Sequence, residues 1–136
     1  MKNEDDVKIA SKFWNFISEQ KWDAAKQLLS DDFEAYWPQS KEKIVGADNF
    51  IAVNSNYPGT HKIEFYNQTS SYDVWDHSTT VVTEVYIESK MPDGKEMKLF
   101  AISTFEIMDE KIMNLREYWA DTYPAPEWRK QWVEIC

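Results

Sequence analysis

The sequence predicts an α+β domain in which N-terminal helices pack on one face of a curved antiparallel sheet. Three observations support this prediction. Apolar residues recur at helical spacing in three segments before residue 60. Beyond Gly59 the hydrophobic period changes from about 3.6 residues to about 2, as it does in consecutive strands. The length of 136 residues fits one domain, so we expect residues 1–136 to fold as a single unit.

The three predicted helices span residues 3–20, 22–29 and 47–56. In the first, Ile9, Phe13 and Phe16 lie on one stripe and are expected to face the core. Residues 30–32 are polar and are expected to end the second helix. Residues 33–37 then alternate as a short strand, which Pro38 ends because proline lacks the N–H that a sheet requires.

Four longer strands are predicted at residues 61–75, 79–88, 96–108 and 111–119. The polar segments 76–78, 92–94 and 109–110 are the turns between them. A short C-terminal helix opens at residues 124–127 and sets Trp128 and Trp132 one turn apart. We expect these two rings to cover apolar surface, either on the domain itself or on a partner subunit.

Charge and hydropathy argue against nucleic-acid and membrane partners. The chain has 24 acidic and 15 basic residues, a net charge of −9, and no cluster of lysine or arginine. Nucleic acids and anionic membrane surfaces would both be repelled. No apolar run approaches the ~18 residues of a membrane span, and the first residues lack the apolar stretch of a signal peptide. We therefore expect a cytoplasmic protein.

Cofactors and metals are not expected. Two histidines and one cysteine provide no zinc-ligand spacing, and Cys136 alone excludes an intrachain disulfide. Three glycines in the whole chain provide no phosphate-binding loop. Any chemistry would therefore depend on side chains alone.

Polar residues interrupt the apolar face of two predicted elements. Along the last strand, one side carries Met113, Leu115, Glu117, Trp119 and Asp121. On the third helix, Asn54 and Tyr57 share a face with apolar residues. Buried polar groups cost about 1–3 kcal/mol when they are left without partners, so this pattern favours a cavity over a solid core. The alternative is that Glu117 bonds a loop backbone and Asn54 caps a helix.

The opposite face of the predicted sheet is also apolar. It carries Val82 and Tyr86 on one strand and Phe100 and Ile102 on the next. A monomer rarely exposes a contiguous apolar patch of this kind, and a second sheet is the usual cover. We therefore expect a homodimer that pairs through these two strands.

Several short strings resemble one protein family, in the same order along nearly the whole chain. They are Trp37-Pro38-Gln39-Ser40 with Glu42 and Gly46, Asn49-Phe50 with Asn54, Tyr57-Pro58-Gly59, Glu117-Tyr118-Trp119 with Asp121, and Pro126 with Trp128-Arg129. On these strings the chain resembles the SnoaL-like, polyketide cyclase-like branch of the nuclear transport factor 2-like superfamily. The resemblance implies a cone-shaped, cystatin-like α+β barrel. The superfamily includes isomerases, cyclases, epoxide hydrolases, dehydratases and proteins that bind small molecules without reaction.

Only some catalytic positions of the superfamily have a matching residue in this sequence. Ketosteroid isomerases of the superfamily place their base carboxylate just before a proline, and here Trp37 occupies that position. The epoxide hydrolases use an Asp-Arg-Asp set on barrel strands. Here Arg116 and Glu117 are adjacent on the predicted strand and face opposite sides, so that set is not matched. SnoaL-type cyclases use an aspartate as acid and base, a role that Asp121 or Glu117 matches by general position.

These observations predict a pocket for a small apolar or aromatic organic molecule. The candidate catalytic residues are Glu117, Asp121, Tyr57 and His61. The candidate ligand-binding residues are Trp14, Trp37, Gln39, Phe50, Asn54, Phe105 and Trp119. One hypothesis is a cofactor-free acid/base enzyme of isomerase, cyclase or hydratase type, with Glu117 moving the proton and Tyr57, Asn54 or His61 stabilising an enolate-like oxygen. The alternatives are a non-catalytic ligand-binding or carrier module and a dimeric scaffold.

Overall fold

The structure, a computed structural model, describes the chain from residue 2 onward and its side chains from residue 4 onward. Three α-helices are formed by Lys2–Ser18 (α1), Trp22–Gln27 (α2) and Ala47–Ser55 (α3). Six strands are formed by Leu29–Trp37 (β1), Glu42–Val45 (β2), Thr60–Asp73 (β3), Ser78–Lys90 (β4), Glu96–Met108 (β5) and Lys111–Asp121 (β6). A short 3-10 helix follows at Glu127–Trp132. The predicted α+β class is therefore confirmed.

The six strands form one sheet in the order β2-β1-β6-β5-β4-β3. The predicted sheet was antiparallel, but the observed sheet is mixed because β1 runs parallel to β6. After the β1–β2 hairpin, α3 leads to β3 at the other edge of the sheet. Strands β3 to β6 then return as an antiparallel meander, so that β6 arrives beside β1 in the same direction.

The first two strands differ most from the sequence prediction. Strand β1 begins at Leu29, so residues 30–32 lie inside it and do not form a break. The pairing of β1 with β6 shifts register between Leu29 and Glu34, which removes the alternation that would have identified a strand. Strand β2 was not predicted; it has four residues, of which Ile44 alone is buried.

A second irregularity changes which residues of β6 face inward. The β5–β6 register passes from Glu106 opposite Asn114 to Ile107 opposite Ile112, which leaves Met113 as an extra residue. Ile112 is buried, whereas Met113 is half-buried. The strict alternation predicted along β6 therefore breaks at Met113, because a β-bulge inserts one extra residue there.

The core lies between the helices and one side of the sheet, which we call the inner face. Helix α1 contributes Phe13 and Trp14, and α3 contributes Phe50. The Phe13 ring contacts the rings of Trp14, Phe50 and Phe105 at centroid distances of 5.3, 5.9 and 5.4 Å. On the inner face, β4 and β5 alternate as predicted, with Val81, Val85, Ala101 and Phe105 fully buried.

The C-terminal tryptophans do not pack on the domain. Trp128 is 71% exposed and Trp132 is 73% exposed, and Arg129 lies over the Trp128 ring at 5.7 Å. The prediction that these rings cover apolar surface on the domain itself is therefore wrong. The alternative, that they contact a partner subunit, stays a prediction. Among residues 2–136, no helix is both long and apolar enough to cross a membrane.

Candidate active site around Glu117

Three polar residues lie side by side on the inner face of the sheet. Thr83 on β4 is opposite Ser103 on β5, and Ser103 is opposite Glu117 on β6. All three are buried, and we call them the polar row. Gln68 on β3 lies opposite Thr83 and extends the row; its Oε1 atom is buried without a hydrogen-bond partner among the described residues.

Apolar residues border the polar row on both sides along the strands. On one side lie Val81, Phe105 and Leu115, and on the other Val85, Ala101 and Trp119. The polar row is therefore enclosed between apolar layers, where each polar atom needs a protein partner.

Glu117 is 4% exposed and makes two side-chain hydrogen bonds. The indole Nε1 of Trp37 donates to Oε1 at 3.0 Å, and the hydroxyl of Ser103 donates to Oε2 at 2.8 Å. Burial raises the pKa of Glu117 above its ordinary value, and the bonds from Trp37 and Ser103 oppose that rise. No lysine, arginine or histidine of the described residues forms an ion pair with it.

Trp37 reaches Glu117 because β1 lies beside β6. Tyr36 is in register with Arg116, so the last residue of β1 comes level with Glu117. The rings of Trp37 and Trp119 meet edge to face at a centroid distance of 4.9 Å, and both are half-buried. The side-chain oxygen of Gln39 accepts the backbone N–H of Trp119, which ties the turn after β1 to β6.

Three of the predicted wall residues form a packed layer and do not line open space. Phe50 and Phe105 are almost fully buried, and Trp14 is buried beside them with its ring 6.4 Å from that of Phe105. The indole Nε1 of Trp14 donates to Thr83 Oγ1 at 3.0 Å, which satisfies one oxygen of the polar row. This layer is the floor beneath the row.

Tyr57 and His61 lie in a second group. Their rings meet edge to face at 4.6 Å, and His61 Nδ1 is 2.6 Å from the hydroxyl of Ser89. Burial lowers the pKa of His61, although the Pro58 carbonyl opposes this. Ser89 and Thr83 are six residues apart on β4, which corresponds to roughly 20 Å of extended strand. The structure therefore does not bring Tyr57 and His61 to Glu117.

Asn54 and Asp121 also stand apart from the carboxyl group. The Asn54 amide donates to the Phe50 carbonyl of its own helix at 2.9 Å. Asp121 is exposed at the end of β6, opposite Leu99 and four residues beyond Glu117. Glu117 is therefore the one predicted catalytic residue that takes part in the polar row.

Surface cavities of the described residues lie away from this row, and two of them have volumes near 350 and 370 Å³. One, of about 350 Å³, lies where β3, β4 and β5 meet and is lined by His61 and Ser89 among others. The other, of about 370 Å³, is lined mainly by acidic residues at the turn before β6 and at the start of α1. Glu117 lines neither, so an interior ligand pocket beside it stays a prediction. No group of acidic, histidine or cysteine side chains in the described chain is arranged to hold a metal ion.

Sequence reasoning assigned no role to Ser103, which bonds Glu117, or to Thr83, its neighbour in the polar row. Both fall on the inward parity of their strands, which the sequence shows. Their alignment with Glu117 depends on the hairpin registers of β4, β5 and β6. Counting residues outward from the turn at 109–110 would have aligned Ser103 with Glu117 only if the bulge at Met113 had been known.

Comparison with solved structures shows the fold. A ketosteroid isomerase candidate from Kribbella flavida superposes with a TM-score of 0.80 at 20% identity, over 98% of this chain and 90% of its own. A protein of unknown function from Burkholderia xenovorans, of the nuclear transport factor 2-like type, superposes with a TM-score of 0.78 at 23% identity, over 100% and 98%. The fold is that of the nuclear transport factor 2-like superfamily.

The SnoaL-like resemblance is confirmed as a likeness of fold. A candidate SnoaL-like polyketide cyclase from Jannaschia superposes with a TM-score of 0.71 at 15% identity, over 85% of each chain. No protein-family model matches the sequence, and no curated protein does. Because these structural neighbours differ in their described activities, the nuclear transport factor 2-like fold here does not specify a reaction.

Proposed function

We propose that the chain is a cofactor-free acid/base enzyme acting on a small apolar or aromatic organic molecule, with Glu117 as the residue that moves the proton. The observation that carries this proposal is a buried carboxyl group on the inner face, held by an indole and a hydroxyl and by no cation of the described side chains. Burial raises its pKa above the ordinary value for glutamate, which is the direction that suits a carboxyl group to acid/base work.

The kind of partner is what separates this carboxyl group from a structural anchor. An arginine or several backbone amides would stabilise the carboxylate strongly and lower its pKa. Trp37 and Ser103 are neutral donors, so the charged form gains less from them. Desolvation is accordingly the largest influence on the pKa of Glu117, and it raises that pKa.

An apolar substrate is favoured by the surroundings of the carboxyl group. The half-buried rings of Trp37 and Trp119 stand beside it, and the half-buried side chains of Ile51, Ile63 and Ile87 pack against the same core. Apolar walls with few polar points are typical of small-molecule sites. Two of the structural neighbours are named for a ketosteroid and a polyketide, which supports an organic substrate.

A general probe of acid/base chemistry tests the proposal without knowledge of the substrate. The α-hydrogens of 2-tetralone, acetophenone and cyclohexanone exchange with D2O when a base removes them, and NMR follows the loss of signal. We expect the protein to accelerate exchange of at least one ketone by about 10²-fold or more over buffer, and Glu117→Gln to abolish the acceleration. Glu34→Gln, a substitution of an exposed glutamate, is the matched control.

The carrier alternative has its own support, because both oxygens of Glu117 are already bonded and Trp37 occupies the position of the isomerase base. Saturable binding of a ketone with no faster exchange would favour a carrier. Exchange that persists in Glu117→Gln would show that another residue is the base and would contradict the proposal.

We also propose that the chain forms a homodimer through the outer face of the sheet. The rings of Tyr66, Tyr86 and Phe100 cluster there at centroid distances of 5.0 to 6.3 Å. Ile102 on the same face is 42% exposed. Aromatic and aliphatic side chains grouped in this way are typical of a surface that a partner covers.

A further inference from the structure

The two oxygens of Glu117 have partners of different chemistry. Oε1 accepts from the indole N–H of Trp37, a group that donates and cannot accept. Oε2 accepts from the hydroxyl of Ser103, a group that can do either. Ser103 is fully buried and Glu117 is nearly so, and these two protein groups are the side-chain partners of the carboxyl group.

We propose that Ser103 is a positioning residue that directs the acidic proton of Glu117 to Oε2. When Glu117 is ionised, the Ser103 hydroxyl donates to Oε2. When one proton binds, it binds to Oε2, and the new O–H donates to Ser103 Oγ after the hydroxyl rotates. Oε1 accepts from Trp37 in both states. This proposal rests on the proposed function in one respect, because Glu117 has to gain and lose a proton.

The opposite assignment would leave two donors facing each other. A proton on the Oε1 site that Trp37 uses would point at the N–H, and neither group could accept the other's hydrogen. A proton on the other lone pair of Oε1 would meet no acceptor, because among the described residues Glu117 bonds only Trp37 and Ser103. The Ser103 hydroxyl, once it accepts from Oε2, needs an acceptor for its own hydrogen. Thr83 is its cross-strand neighbour in the polar row, and the Trp14 N–H occupies only one of its two lone pairs.

The arrangement lets Glu117 change protonation state while both of its oxygens keep their partners. One hydroxyl rotation is enough, and the Trp37 ring does not need to move. An acid/base residue in a dry site needs both of its states satisfied, because an unpaired buried group disfavours whichever state leaves it unpaired. A plain aliphatic residue in place of Ser103 would serve neither state.

Infrared difference spectroscopy tests the assignment directly. Spectra of the protein minus spectra of Glu117→Gln isolate the C=O stretch of the neutral Glu117 acid. Since a hydrogen bond to the carbonyl oxygen lowers this frequency, we expect Trp37→Phe to shift the band upward and Ser103→Ala to leave it near the wild-type position. Thr79→Val, which removes a buried hydroxyl of β4 that bonds Asp6 and takes no part in the polar row, is the control.

The titration midpoint provides a second readout. Trp37 stabilises the carboxylate more than the acid, whereas Ser103 stabilises both, so Trp37→Phe should raise the midpoint more than Ser103→Ala. Ser103→Thr, which keeps the hydroxyl, should restore the wild-type midpoint. If the Trp37 variant fails to fold, NMR of the Trp37 indole N–H in the wild type provides the test instead. Its chemical shift should change as Glu117 titrates, and the N–H should remain hydrogen-bonded at both the acid and the alkaline limit.

Two results would overturn the proposal. One is an upward shift of the C=O band in Ser103→Ala with none in Trp37→Phe, which would put the proton on Oε1. The other is the absence of an acid C=O band at every pH at which the protein is folded. Neither readout needs a substrate, so failure of ketone exchange with the expected infrared result would reject the proposed function and leave the proton assignment intact.

Discussion

Glu117 is a carboxyl group inside the protein, and no cationic side chain among residues 4–136 balances it. Its parity on β6 could be read from the sequence, since it alternates with Leu115 and Trp119. Its bond to Trp37 could not, because that contact depends on the parallel pairing of β1 with β6, and the two residues are 80 positions apart. Residue-level reasoning therefore found the acid and missed what holds it.

The raised pKa of Glu117 makes stability depend on pH. A folded-state pKa above the unfolded value means that the folded protein binds the proton more tightly. The resulting stabilisation is fully present below the ordinary value of 4.5 and is lost as the pH rises through the folded pKa. Glu117→Gln lacks this dependence, and its amide can accept from Trp37 and donate to Ser103 as the neutral acid does.

We therefore expect Glu117→Gln to be more stable than the wild type at pH 8 and nearly equal at pH 4. The melting temperature should differ by several degrees at pH 8, because 1 kcal/mol corresponds to about 4 °C for a domain of this size. Thermal unfolding followed by circular dichroism at both pH values measures the difference. A variant less stable than the wild type at pH 8 would show that the carboxylate is stabilising and that the direction of the pKa shift is wrong.

At the scale of elements, β3 begins against the end of β4 without room for a side chain. Gly59 has φ +88°, and a Cβ atom there would lie 2.4 Å from the Lys90 carbonyl oxygen. Gly94 in the β4–β5 turn has nearly the same φ, +87°, but nothing within 4 Å of a Cβ atom. The two glycines separate the cost of the backbone conformation from the cost of the close contact.

We expect Gly94→Ala to cost about 1–2 kcal/mol of unfolding free energy, the usual penalty for a residue with a side chain at positive φ. Gly59→Ala should cost clearly more, because the Lys90 carbonyl belongs to the backbone and cannot move aside without disturbing β4. Urea denaturation of both variants provides the comparison. Equal losses would mean that β3 and β4 do not approach as closely as described.

The elements that the sequence predicted well are those with uninterrupted periodicity. Strands β4 and β5 alternate without a bulge between them, and their bounds and inward residues followed from that alternation. Strand β1 was predicted too short, and the alternation predicted along β6 breaks at Met113, because register shifts at Leu29/Glu34 and at Glu106/Ile107 interrupt the period. Strand β2 has too few residues to show a period at all.

At the scale of the whole molecule, the proposed dimer pairs through the outer face of the sheet. Replacement of Phe100 and Ile102 together by lysine should convert the proposed dimer into a monomer, because two charges would be buried among Tyr66 and Tyr86. Sedimentation velocity measures the change. Asn15→Lys with Ser18→Lys, on the exposed side of α1, adds the same charge elsewhere and should leave the dimer intact.

A wild type that is monomeric at high concentration would reject the outer face as a dimer interface. A doubly substituted protein that remains dimeric would reject it equally. In the second case the exposed Trp128 and Trp132 would become the next surface to test, since they are large apolar side chains that the domain itself does not cover.

The central claim is that Glu117 is an acid whose neutral form the protein favours, and titration of its side-chain carboxyl carbon by NMR tests it most directly. The Glu117 resonance is assigned by its absence in Glu117→Gln and followed from acid to alkaline pH. Burial without a cationic partner predicts a midpoint above 4.5, the ordinary value for glutamate. A midpoint at or below that value would identify Glu117 as a structural anchor and would contradict its role in proton transfer.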